Sequence, residues 1–168
     1  MSALDKALNH SKNIGIDECE IVVVKKKIIT VRITDSEIAE IKQNFDQNYG
    51  LRLIHDKKIA SIQTTNQEEI EKTIDSVFKT SSKLKPRNFW KELPHKIHHK
   101  QLDGTFDEKL EKISGANAMD IAQNMINSAN NKMINTITGS LNIVSENFEL
   151  ANSNGLYLND KATYISGI

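Results

Sequence analysis

Residues 19–66 are almost entirely strand-forming, and they run directly into a helix start. "CEIVVVKKK", "KIITVRIT" and "SEIAEIKQN" are rich in valine, isoleucine and threonine, are broken by "KKK" and "TDSE", and read as antiparallel strands. In "TVRIT", Val31 and Ile33 share one face while Thr30, Arg32 and Thr34 share the other, so one face is buried and one wet. "YGLRLIHDKKIASIQTTN" extends the meander as a hairpin around a charged turn. Its alternation of Leu51 and Leu53 with Arg52 and Ile54 is imperfect, which points to cover on both faces. Asn66, with Glu69 three residues later, has the form of a capping box. The helix that follows sets Ile70, Ile74, Val77 and Phe78 on one stripe. A meander capped by such a helix predicts an α+β fold, an antiparallel-rich sheet with amphipathic helices packed on one face.

Ahead of the strands, Ser2 with Asp5 resembles a helix start, and Gly15 can take the left-handed conformation that ends helices. Periodicity is lost over residues 83–104, which hold both prolines, Pro86 and Pro94, and read as a linker anchored by Phe89 and Trp90. A helical segment beginning near Asp107 leads to a stripe of Ala118, Ile121, Ala122, Met125, Ile126 and Ala129, and strands follow. "NSNG" reads as a tight turn. The expected organisation is an N-terminal α+β domain over residues 1–82, a linker over 83–104, and a second, incomplete α+β domain over 105–168. The apolar ending "ATYISGI" looks like a cut in mid-domain.

Lysine plus arginine equals aspartate plus glutamate at 22 each, so the field that steers proteins to phosphate backbones is lacking and nucleic acid is disfavoured as a partner. One cysteine, Cys19, excludes a disulfide within the chain and makes a cytoplasmic location the default. It reads as a small apolar strand residue. No signal peptide is visible, and the longest apolar run, "IVVV", is far short of a membrane span.

No H-E-x-x-H, P-loop, G-x-G-x-x-G or G-x-S-x-G motif occurs. The densest group of metal-binding side chains is His95, His98 and His99, with Asp103 nearby. It adjoins a proline and lacks a carboxylate at fixed helical spacing, so it reads as a solvated linker. Asp35 with Glu37, and Glu68 with Glu69, fall at turns and helix starts, where dipoles account for them. Lys25, Lys26 and Lys27, and the run "KLKPR", lack interleaved aromatics and read as solvated faces. No catalytic, cofactor-binding or metal residue is assigned.

The hairpin motif carries a family resemblance. Tyr49, Gly50, Leu51, Arg52, Leu53, Ile54, Asp56, Lys57, Ala60, Thr64, Thr65 and Asn66, followed by an acidic amphipathic helix, resemble the N-terminal domain of the TldD/PmbA family, also known as modulators of DNA gyrase. Upstream, Gly15, Asp17 and Glu20 resemble the family's approach to its first strand, and "ITVRITDSEIAEI" its second and third strands. Downstream, "FELANSNGLYL" resembles an asn-ser-x-gly turn of the middle domain. Ala60 stands where the family usually has glycine.

The resemblance implies a system in which a zinc metallopeptidase subunit with a His-Glu-x-x-x-His helix pairs with a zinc-free subunit of the same fold to process peptides. That helix is not in this sequence, so no zinc ligand carries over, and zinc is expected only in a catalytic full-length member or partner. The implied role is scaffold or subunit interface in a homo- or hetero-oligomer whose assembly takes peptide or unfolded-protein substrates. Whether the parent is itself the enzyme stays open. Two rivals remain: a stand-alone module binding a protein or peptide by strand addition, and a gyrase-related regulator, against which the neutral charge counts.

Overall fold

The computed structural model describes residues 2–97, 102–129 and 133–168. In chain order the elements are α1 (Ala3–Asn13), β1 (Glu18–Thr34), β2 (Glu37–His55), β3 (Lys58–Thr64), a 3-10 turn (Gln67–Glu69), α2 (Ile70–Ser81), α3 (Glu108–Glu111), α4 (Gly115–Ala129), β4 (Gly139–Asn152) and β5 (Tyr157–Gly167). The strands form one five-stranded antiparallel sheet in the order β3-β2-β1-β4-β5, and the fold is α+β.

Turn chemistry sets the first two hairpins. Asp35 and Ser36 join β1 to β2, and Asp56 and Lys57 join β2 to β3, all four at φ between 50° and 65°. Two successive left-handed residues give the primed turn whose twist matches that of paired strands. In the second hairpin the register puts Ile54 opposite Ile59 and Arg52 opposite Ser61.

Two expectations are corrected. "KKK" does not break the sheet: β1 crosses it without interruption, and β2 likewise joins "SEIAEIKQN" to "YGLRLIH". The lysines stay in the strand because their long stems carry the charge to a partner. Lys26 Nζ lies 2.7 Å from Glu146, and Lys27 Nζ donates to the carbonyls of Glu111 and Ile113 at 3.1 and 2.8 Å. At the head of α2, Asn66 does cap, but its side chain accepts from the Glu68 N–H at 3.0 Å and a 3-10 turn intervenes before the helix. Other local signals hold: α1 begins in a Ser2–Asp5 capping box and stops before Gly15 at φ 82°.

The chain packs as two compact units, each discontinuous in sequence. The first takes the chain through Val24, resumes at Gln47, and includes Phe148–Asp160. Its core sets Leu4 and Ala7 of α1 and Ile70, Ile74 and Val77 of α2 against Cys19, Ile21, Tyr49, Leu51 and Leu53 of the sheet. The second comprises Lys25–Asp46, Leu102–Asn147 and Lys161–Ile168. There Ala118, Ala122 and Ile126 of α4 cover Ile29, Val31, Ile33, Leu141 and Ile143. Alanines at two of the three buried helix positions leave room for the branched side chains beneath.

Candidate functional site

In the first unit, odd-numbered residues of β1 and β2 face the helices, so even-numbered ones project from the other side of the sheet. One end of that outer side is closed. Glu18 accepts from the Trp90 indole N–H at 2.8 Å, the Leu93 backbone N–H at 2.7 Å and the Asn154 amide at 3.1 Å. Asn154 also donates to the Leu93 carbonyl, and Asn152 to that of Pro94, both at 2.8 Å. Trp90 thus anchors the stretch as expected, whereas Phe89 is 76% exposed and anchors nothing. Leu93 of the strapped segment is fully buried, and Ile54, on the same face as Arg52, is buried too.

Beyond the strap the outer face is open. A groove of about 630 Å³ is lined by Glu20, Val22, Asn48, Gly50, Arg52 and Gln63 among others. Val22 and Gly50 give it a low floor; a Cβ at Gly50 would sit 3.9 Å from that of Val22. Arg52 Nη1 lies 3.5 Å from Glu20 Oε1, with the arginine side chain 47% exposed and the glutamate 11%. This loose pairing leaves guanidinium donors free to meet a carbonyl or carboxylate. The amides of Asn48 and Gln63 add donors and acceptors of the kind an extended peptide backbone satisfies. Among the described residues, no histidine or cysteine lines the groove.

The remaining candidates do not converge. Cys19 is buried, and desolvation pushes its thiol up from 9.0 to about 11, against a lowering contribution from Ser11, so it is no nucleophile at neutral pH. His10 lies 2.8 Å from Asp75, and His55 packs edge-on to Phe78. His95 is paired with Glu92 at 3.1 Å on the surface; His98 and His99 lie outside the described residues. Among the described residues, no three of His, Cys, Asp and Glu come together as a metal site, so the zinc implied by the resemblance finds no ligand set there. Asp35 and Glu37 are exposed at the first hairpin turn, Glu68 and Glu69 at the head of α2. Sequence reasoning missed Glu18, whose partners are 72 to 136 residues away along the chain. No described helix is long and apolar enough to cross a membrane.

Comparison with known proteins places this geometry. Residues 19–81 match the family described as PmbA/TldA metallopeptidase domain 1. A search of the curated proteins finds no match. Among solved structures, TldE from Thermococcus kodakarensis superposes with a TM-score of 0.81 at 19% identity, over 98% of this chain and 38% of that one. A candidate modulator of DNA gyrase from Bacteroides thetaiotaomicron gives 0.82 at 16% identity, over 98% and 39%. Another, from Thermotoga maritima, gives 0.78 at 16%, over 97% and 37%. The chain therefore spans under two fifths of the length of these structures. At such identities the likeness establishes the fold, and over residues 19–81 the chain is similar to the first domain of the PmbA/TldA metallopeptidase family.

Proposed function

We propose that this chain is the N-terminal portion of a TldD/PmbA-family protein and serves as scaffold or subunit interface in a zinc-dependent peptide-processing assembly. The observation that carries the reading is the match of residues 19–81 to a metallopeptidase first domain. The TldE-like fold and the open, peptide-sized groove at Arg52 support it. In this reading residues 1–82 are the first domain, 83–104 the connection, and 105–168 the start of a middle domain. Zinc, hydrolysis and a cytoplasmic location belong to the assembly, and the chain contributes the shape that holds an extended peptide. The experiment is native mass spectrometry of the chain mixed with a zinc-bearing TldD-type subunit. A stoichiometric complex is expected; two proteins that never associate at micromolar concentration overturn the proposal.

A further inference from the structure

β2 is 19 residues long, but β3 is only seven. Their register runs from Tyr49 opposite Thr64 to His55 opposite Lys58. Upstream of it, β2 has β1 on one side and, among the described residues, no strand on the other. Residues 39–46, all within the second unit, are exposed without a break. They include Ile41 and Phe45, which are 37% and 73% exposed. A free edge of this length offers unpaired N–H and C=O groups, and proteins normally blunt such edges with proline, bulges or very short strands. Residues 37–46 contain no proline.

We infer that residues 37–46 of β2 pair antiparallel with the same residues of a second copy of this chain, centred on Ile41. The charge pattern selects that occupant and that register. With Ile41 opposite Ile41, Glu40 of each copy falls opposite Lys42 of the other, giving two cross-strand ion pairs on one face. Ala39 then faces Gln43, Ile38 faces Asn44 and Glu37 faces Phe45, so no like charges meet. Recentring on Glu40 puts glutamate against glutamate, and recentring on Lys42 puts lysine against lysine. Moving the register by a single residue instead removes both ion pairs. The edge is thus complementary to itself in one alignment. The inference stands on β2 alone, so failure of the peptidase reading leaves it intact.

Charge reversal tests it by sedimentation velocity over a concentration series. Wild type is expected to form a reversible dimer. Glu40→Lys alone and Lys42→Glu alone turn both ion pairs into like-charge pairs, and each should weaken dimerisation by roughly tenfold or more. The double variant E40K/K42E restores complementarity and should dimerise like wild type. An equimolar mixture of the two single variants should form mixed dimers, because lysine at 40 of one then meets glutamate at 42 of the other. Both side chains are exposed, so the variants keep the fold, and circular dichroism verifies this. A wild type that is monomeric throughout overturns the inference. So does a dimer indifferent to both reversals, or a pair of single variants that ignore each other when mixed.

Discussion

Glu18→Gln isolates what the strap over the outer sheet face contributes. The Glu18 carboxylate receives three donors, from Trp90, Leu93 and Asn154, at 2.7 to 3.1 Å. Glutamine keeps the volume but removes the charge and turns one acceptor oxygen into a donor, so at least one of the three donors loses its partner. A hydrogen bond to a charged group contributes about 1.5–3 kcal/mol, and an orphaned, partly buried donor costs about 1–3 kcal/mol. Loss of one bond and weakening of the other two therefore comes to about 2–4 kcal/mol. Most of that loss should fall on residues 87–94, because Glu18 and its three partners are members of neither buried core cluster. The chain has a single tryptophan, so Trp90 emission reports the strap directly. In a urea titration of the variant, the Trp90 transition should move to lower urea and separate from the far-ultraviolet circular dichroism transition, which reports the sheet and helices. The reasoning is refuted if the two transitions of the variant stay superimposed within about 0.5 kcal/mol of wild type.

Three further outcomes follow from the same structure. Lys57 sits at φ 59°, a cost of about 1–2 kcal/mol for a side-chain-bearing residue, so Lys57→Gly should stabilise by about 0.5–1 kcal/mol after the flexibility of unfolded glycine is subtracted, read from the urea midpoint. The Cys19 thiol titrates near 9.0 when unfolded and about 11 when folded, so the folded state holds its proton longer; the contribution is fully present below pH 9 and lost as the pH rises through 11, about 2–3 kcal/mol in all, and Cys19→Ala should flatten that alkaline loss in a stability–pH profile. Arg52→Ala removes a half-exposed pair and should change stability by under about 1 kcal/mol in the same titration, while lowering peptide cleavage by the assembly if the groove guides substrate.

How much the sequence discloses depends on how local the physics is. The Ser2 cap, the Gly15 stop, the α2 stripe and the Asp56–Lys57 turn are each settled within a few residues, and each is where spacing puts it. The unbroken β1 is different. Three consecutive lysines look like a stop until Glu146, Glu111 and Ile113 supply partners from far along the chain. The same holds for Glu18, one acid in "DECE" until Trp90, Leu93 and Asn154 converge on it. The alternation of Arg52 with Leu51 and Leu53 is legible in the sequence, but not the groove around it, which needs the register that sets it opposite Ser61 and the strap that closes one end.

The most direct test of the account is the rate of peptide cleavage by a zinc-bearing TldD-type subunit with and without this chain, alongside the chain alone. The account predicts no cleavage and no stoichiometric zinc for the chain alone, and cleavage by the zinc-bearing subunit that rises when the chain is added. One tightly bound zinc and peptide hydrolysis by the isolated chain would contradict it, as would a cleavage rate that the chain leaves unchanged at every ratio.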